Sequence, residues 1–170
     1  MLWFNFTTRR LLPLGLCLLS SGCFQPLYAP STGRNLRTEL ASIYVAPIPD
    51  RLGHYLETAL KFALDGGAPE IAPKYKLTIS VRERVQTPLI DTISGRASAA
   101  TVMIDADYNL KRISDGESIG SGIAFTAATY DRSSQRYANI RAARDAEIRD
   151  AQSLADQIRT RVAVTLANQS

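Results

Sequence analysis

The sequence offers few side chains that could perform chemistry. Its two cysteines, Cys17 and Cys23, both lie near the N-terminus, and its one histidine, His54, falls inside a predicted helix. A lone histidine forms neither a metal site nor a catalytic triad, because both need further side chains. The candidate thiol nucleophile is Cys23, and acylation would consume it. We therefore predict no metal and no cofactor.

Two further patterns superficially resemble catalytic groups. Asp105 and Asp107 share one face of a predicted strand, but no base or metal ligand is near them in sequence, and a polar strand face explains them more simply. Ser121 is flanked directly by Gly120 and Gly122, which differs from the Gly-x-Ser-x-Gly of a nucleophile elbow. These glycines instead predict a bulge or a close backbone approach. We predict that the protein is not an enzyme.

The residues before Cys23 have the order of a bacterial lipoprotein signal. Arg9 and Arg10 are followed by an apolar stretch over residues 11–19 and then by small residues. The stretch is too short to cross a bilayer of ~30 Å as a helix, and it is typical of an export signal. Ser20 stands where such signals usually have leucine, so an ordinary secretory signal is the alternative. We predict a signal peptide over residues 1–22 and an acylated Cys23.

Composition limits the rest of the chain to one domain. Removal of residues 1–22 leaves 148 of the 170 residues, which is enough for a single core. Arg9 and Arg10 carry two of the formal +4 charges, so the mature chain is nearly balanced and nucleic-acid binding is not predicted. We predict a lipidated N-terminus and extended linker over residues 23–41, followed by one domain over residues 42–170.

Hydrophobic periodicity predicts a strand and a helix at the start of this domain. A short strand over residues 42–48 ends in prolines. Asp50 is predicted as the N-cap of a helix of about fifteen residues that stops at Gly66 and Gly67.

From Tyr75 the period changes to two, which predicts a meander of three antiparallel strands. The second is a long strand over residues 100–111, and a tight turn over residues 114–117 leads to the third. The third strand is predicted to contain Ile119, Ser121, Ile123, Phe125, Ala127 and Thr129.

A long helix is predicted from Ser133 or Ser134 to about Leu166. Its apolar stripe comprises Ile140, Ala143, Ile148, Ala151, Leu154, Ala155, Ile158, Val162 and Leu166. The order β-α-β-β-β-α predicts an α+β two-layer sandwich, in which two helices cover one face of a mainly antiparallel four-stranded sheet. The position of the first strand stays open, and pairing beside the long strand is one solution.

Several basic residues lie on strand faces and at loop ends, where they could bind anionic groups such as phosphates. They are Arg82, Arg84, Arg96, Lys111, Arg112 and Arg132. Scattered solubilising charges are the alternative interpretation.

The segment that begins at Cys23 resembles a known family. Cys23-Phe24-Gln25-Pro26-Leu27-Tyr28-Ala29 is similar to the Cys-Gly-Phe-x-Pro-Leu-Tyr-Gly signature of the LPS-assembly lipoprotein LptE family in its alphaproteobacterial form. The glycine after the cysteine is absent, and Ala29 replaces the final glycine. Further resemblance lies at residues 106–110, 137–138, 145–149 and 154–159, so it extends over nearly the whole mature chain.

This resemblance implies an outer-membrane lipoprotein that plugs the β-barrel LPS translocon LptD, helps that barrel assemble and assists delivery of LPS to the cell surface. Phe24, where an inner-membrane retention signal would have aspartate, is consistent with sorting to the outer membrane. Arg84, Arg96 and Lys111 are the first candidates for LPS contact, because lipid A carries phosphates. The alternative function is a lipid-anchored periplasmic binding module for another envelope ligand or partner, also without catalysis.

Overall fold

The computed structural model describes residues 35–67, 69, 71–87 and 98–169. The predicted signal peptide, Cys23 and Arg96 lie outside the described residues. The elements in chain order are α1 (Leu36–Ala41), β1 (Ile43–Val45), α2 (Asp50–Asp65), β2 (Tyr75–Gln86), β3 (Ala99–Arg112), β4 (Ser118–Asp131) and α3 (Arg136–Ala167). The predicted α+β class and the order β-α-β-β-β-α are confirmed, with α1 added in front.

The four strands form one sheet in the order β1-β2-β3-β4. The β2–β3 and β3–β4 pairs are antiparallel, whereas β1 lies parallel to β2, with Ile43 opposite Tyr75. The sheet is therefore mixed, and the first strand does not lie beside the long strand β3. Because α2 returns the chain to the start of the sheet, the strands on either side of it run in the same direction. Pro47 and Pro49 lack an N–H donor, and β1 ends before them at Val45.

Residues 36–41 form α1, although the sequence predicted an extended linker up to residue 41. The side chain of Asn35 caps the helix by accepting a hydrogen bond of 3.1 Å from the Arg37 amide. Leu40 is buried in the core. Six residues are too few to show a helical period, which is why the sequence pattern missed this helix.

The predicted bounds of α2 are close to the observed ones, but its N-cap is not Asp50. Pro49 occupies the cap position without a side-chain hydrogen bond, and Asp50 begins the helix with a φ of 68°, in the left-handed region that aspartate tolerates. The predicted C-terminal stop is confirmed. Gly66 has a φ of 63°, and its amide donates to the Phe62 carbonyl oxygen at 2.9 Å.

The core lies between one face of the sheet and the helices. The predicted inward residues of β3 are all buried, namely Ala100, Val102, Ile104, Ala106, Tyr108 and Leu110. The predicted stripe of α3 is buried from Ala151 to Leu166, but Ile140 is exposed and Ala143 and Ile148 are only half-buried. At 1.5 Å per residue, the 32 residues of α3 span about 48 Å. Its first turns extend beyond the part of the sheet that the helix covers.

The C-terminal half of α3 packs closely on β4 because β4 presents small residues to it. A Cβ atom on Gly120 would lie only 2.8 Å from Cγ2 of Thr165, which confirms the predicted close approach at the glycine pair. The β3–β4 register also shifts between Leu110 and Lys111, as a bulge requires.

Side chains of α3 also cover the outer edge of β4. The amide groups of Gln157 and Gln169 donate to the carbonyl oxygens of Phe125 and Ile119 at 3.1 and 3.3 Å, and Arg161 donates to that of Ile123. These bonds satisfy backbone acceptors at an edge that would otherwise attract another strand.

Candidate interaction surface

The sheet face opposite the helices, called here the open face, has no covering element among the described residues. Because side chains alternate along a strand, this face carries every second residue of β2, β3 and β4. The central members are Thr78, Ser80, Arg82 and Arg84 of β2, Met103, Asp105, Asp107 and Asn109 of β3, and Ser121, Ile123, Phe125 and Ala127 of β4.

Two ion pairs cross the open face between β2 and β3. Arg82 Nη2 lies 2.6 Å from Asp107 Oδ2, and Arg84 Nη2 lies 2.5 Å from Asp105 Oδ2. Each arginine bonds to the aspartate diagonally across the ladder, a distance that long side chains reach. The two aspartates are therefore explained as partners of arginines.

A shallow depression of about 510 Å³ lies beside these pairs. The side chains of Thr78, Ser80, Asp107, Asn109, Ser121 and Ile123 line it. Ile123 is 58% exposed, and Phe125, two residues further along β4, is 47% exposed. Exposed apolar side chains among hydroxyl, amide and ion-paired groups are typical of a surface that another macromolecule covers.

The three residues predicted to contact LPS do not form one site. Arg84 lies opposite Met103, and Lys111 is eight residues further along β3, a distance of about 26 Å along the strand. Arg84 is held in its ion pair with Asp105, whereas Lys111 is exposed at the other end of the sheet. Arg96 lies outside the described residues.

A charged cluster that the sequence did not reveal lies between α2, β2 and α3. Arg51 donates from Nε and Nη2 to the two carboxylate oxygens of the buried Glu147, at 3.0 and 2.6 Å. This hydrogen bonding raises the pKa of Arg51. Partial desolvation, reinforced by the nearby Glu147 carboxylate, raises the pKa of Glu83, although its side chain is still exposed. The Arg51–Glu147 pair joins residues 96 positions apart, so no local pattern could reveal it.

Asp150, one turn after Glu147, is a buried carboxylate with only one oxygen paired. Its Oδ1 accepts a hydrogen bond of 2.9 Å from the Thr126 hydroxyl, while Oδ2 has no partner among the described residues. Burial raises the pKa of Asp150, opposed by the hydrogen bond from Thr126.

The described residues contain no group of three or more His, Cys, Asp or Glu side chains that could hold a metal ion. His54 lies on the exposed side of α2, with its ring centroid 6.4 Å from that of Tyr55. Within the same described ranges, no helix is both long and apolar enough to cross a membrane.

Comparison with known proteins identifies the family. The model of the LptE family, described as lipopolysaccharide-assembly, matches residues 40–162, which is more than half of the chain. The chain belongs to the LptE family. Its general role is therefore LPS assembly, as a lipoprotein of the cell envelope. No curated protein matches the chain.

Solved structures of lipoproteins share the LptE-family fold. A lipoprotein from Caulobacter crescentus CB15 is 27% identical, with a TM-score of 0.65 over 78% of this chain and 96% of that one. The minor lipoprotein from Acinetobacter baumannii is 15% identical, with a TM-score of 0.58 over 73% and 92%. Rare lipoprotein B from Shewanella oneidensis is 12% identical, with a TM-score of 0.56 over 75% and 96%. The last two likenesses establish the fold alone.

Proposed function

We propose that this LptE-family chain is an outer-membrane lipoprotein that plugs the LptD barrel, helps that barrel assemble and assists LPS delivery. It performs no catalysis in this role. The observation that carries the proposal is the open face, where ion-paired and hydroxyl side chains surround the exposed Ile123 and Phe125. The lumen of an outer-membrane barrel is polar, so a largely polar face with a small apolar patch complements it.

Site-specific photo-crosslinking in cells tests the contact with the barrel. A photoreactive residue at position 123 or 125 should yield an adduct of the combined size of this chain and LptD. The control positions are Gln152 and Asp156, which are exposed on α3 and lie away from the open face. Adducts of equal yield at all four positions would contradict a specific barrel-facing surface. Absence of LptD from all adducts would favour the binding module for another envelope partner.

We propose that attachment to the outer membrane occurs through acyl chains on Cys23. Three acyl chains would hold the protein far more firmly than one, at ~0.8 kcal/mol for each buried CH₂. Mass spectrometry of the mature N-terminus should find the lipid on Cys23, and Cys23→Ala should block processing or release the chain from the membrane. An unmodified Cys23 would exclude this anchor.

Arg84, Arg96 and Lys111 remain the proposed contacts for LPS phosphates. Arg84 must exchange Asp105 for a phosphate, so its contribution depends on competition between the two anions. LPS binding should weaken with salt, because the Debye length falls from ~10 Å at 0.1 M to ~3 Å at 1 M. Binding should also weaken in Arg84→Ala and Arg96→Ala but not in the control Arg141→Ala. Equal binding by all variants would assign these arginines to solubility.

A further inference from the structure

All four lysines of this chain lie at one end of the molecule. Lys74 immediately precedes β2, and Lys76 is its second residue. Lys111 is the second-last residue of β3 and lies opposite Lys76. Lys61 lines a cleft that is also lined by residues 41–45 and Pro73, next to the start of β2. The sixteen arginines, in contrast, are distributed along the whole chain.

The chain arrives from its predicted anchor at this same end, which we call the tether end. The carboxylate of Glu39 in α1 accepts hydrogen bonds from Lys74 Nζ at 2.8 Å and from the Tyr75 hydroxyl at 3.0 Å. Eleven residues separate Cys23 from Asn35, which is the first residue that the structure describes. Even fully extended they reach at most about 40 Å, so an anchor on Cys23 would keep Asn35 within that distance of the bilayer.

Lys76 and Lys111 form a like-charge pair that the fold leaves without a counter-charge. They are directly opposite in the β2–β3 register, and both are exposed on the open face. Neither makes an ion pair within the part of the chain that the structure describes. Like charges directly opposite on a sheet are destabilising, so an external anion would relieve this pair.

Three acidic side chains at the tether end, those of Glu39, Asp115 and Glu117, already have basic partners. Glu39 bonds to Lys74, and Arg112 Nη1 lies 2.7 Å from Asp115 and 2.9 Å from Glu117. None of these three carboxylates makes an ion pair with the Lys76–Lys111 pair. The positive charge of the two lysines therefore faces outward.

An exposed aliphatic side chain stands beside the lysine pair. Ile113 follows Lys111 by two residues and is 49% exposed, and its amide donates to the Lys74 carbonyl oxygen at 2.9 Å. Lysines with an adjacent exposed apolar residue are typical of surfaces that lie on a membrane, where the ammonium groups reach phosphates and the apolar group enters the headgroup layer.

We propose that the tether end docks on the anionic phospholipid headgroups of the membrane that holds the anchor, with Lys76 and Lys111 contacting lipid phosphates. For Lys111 this role competes with the LPS contact proposed above. An ammonium group is a compact charge that accepts phosphates in many orientations, which suits a fluid surface better than a fixed arginine fork does. Basic residues beside a lipid anchor add to its hold and orient the domain. It concerns the Lys76–Lys111 end of the open face, whereas the proposed barrel contact is at Ile123 and Phe125.

Vesicle co-sedimentation of the mature chain carrying Cys23→Ala tests the proposal without LPS or LptD. Vesicles of phosphatidylethanolamine with phosphatidylglycerol should bind the protein, and neutral vesicles of phosphatidylethanolamine with phosphatidylcholine should bind it little. Binding should fall between about 0.1 M and about 1 M salt. Reversal of both charges in Lys76→Glu/Lys111→Glu should weaken binding by about tenfold or more.

The matched control is Arg136→Glu/Arg141→Glu, which changes the net charge equally on exposed turns of α3. Its binding should change by less than about twofold, since it lies away from the tether end. Thermal unfolding verifies that each variant folds, and Lys76→Gln/Lys111→Gln replaces the charge-reversed variant if that variant does not.

Four results would overturn the proposal. One is equal loss in the lysine and arginine variants, which would reflect net charge alone. The second is equal binding of the wild-type chain to anionic and neutral vesicles. The third is a lysine variant that retains vesicle binding but loses binding to purified LPS, which would assign the pair to LPS phosphates. Displacement from vesicles by inorganic phosphate at constant ionic strength would likewise indicate a discrete phosphate site and not a bilayer surface.

Discussion

The two faces of the sheet differ most clearly along β4. On the helix-covered face β4 presents Gly120, Gly122, Ala124 and Ala128, whereas two of its large apolar side chains, Ile123 and Phe125, are exposed on the open face. Usually the bulky apolar residues of a half-buried strand face the core. Here the covered face needs small residues because α3 lies very close to β4. A Cβ atom on Gly120 would be only 2.8 Å from Cγ2 of Thr165.

The helix-covered face of the sheet stabilises the domain, whereas the open face remains available to a partner. The volume of the core comes from β3 and the helices, through fully buried side chains such as Ile104, Leu154 and Ile158. The open face contributes little apolar burial to folding, so its exposed Ile123 and Phe125 are available for binding another macromolecule. Changes on the first face should therefore affect stability, and changes on the second should affect association.

The same substitution on each face gives the largest expected contrast. Ile158 is 0% exposed, so Ile158→Asp buries a carboxylate without a partner and should unfold the domain. Ile123→Asp introduces the same group on the open face, directly opposite Asp107, and should lower the free energy of unfolding by about 1 kcal/mol or less. Thermal unfolding followed by circular dichroism measures both. A folded Ile158→Asp variant, or an unfolded Ile123→Asp variant, would reverse the assignment of the faces.

The sequence predicted the covered face well where the hydrophobic period is strong. The inward residues of β3 and those of α3 from Ala151 onward follow from periods of two and about 3.6, because burial on one side imposes the period. The first turns of α3 keep the period but extend past the covered sheet, so Ile140 was wrongly predicted as core. Periodicity records which side of a helix is apolar and not where the neighbouring element ends.

The open face was less predictable, because its organisation depends on contacts between distant residues. The pairing of Arg82 with Asp107 requires the β2–β3 register, whereas the three predicted LPS residues follow from charge alone, which does not depend on that register. In β4 the small residues and the bulky residues alternate, so the strand itself could be recognised from sequence. Which set faces the helices is decided by the close approach of α3.

A smaller effect should follow from adding one methyl group to the covered face of β4. Gly120→Ala places a Cβ 2.8 Å from Thr165 Cγ2, and because threonine is stiff at χ1 the helix or the strand must shift. The expected loss is about 1–3 kcal/mol in chemical denaturation. Thr165→Ser removes Cγ2 and should recover part of this loss in the double variant. If the effects of the two changes were additive, Gly120 and Thr165 would not be in contact, and α3 would lie further from β4 than in this structure.

The buried carboxylate at the helix–sheet interface should make stability depend on pH. Asp150 is 2% exposed and burial raises its pKa, so the folded state binds the proton more tightly than the unfolded chain, whose pKa is about 3.9. Its contribution to stability is present below that unfolded pKa and is lost as pH rises through the higher folded pKa. Asp150→Asn keeps an acceptor for Thr126, so its stability relative to wild type should increase as pH rises from 4 to 7.

Denaturation of both proteins at the two pH values measures this gain. Asp156→Asn is the control, since Asp156 is exposed on the same helix and should show no such dependence on pH. A gain for Asp150→Asn that does not change with pH would mean that the carboxylate is not the titrating group.

The smallest effect is expected from the ion pairs of the open face, and it tests whether that face contributes to folding at all. A double-mutant cycle on Arg84→Ala and Asp105→Ala should give a coupling energy of about 0.2–1 kcal/mol, because the arginine side chain is 60% exposed and water screens the pair. Added salt should reduce the coupling towards zero. A coupling well above this range that persists in high salt would mean that the pair stabilises the sheet as core contacts do. A small, salt-sensitive coupling would mean that Arg84 can leave Asp105 at little cost, which is the property that exchange for an anionic ligand requires.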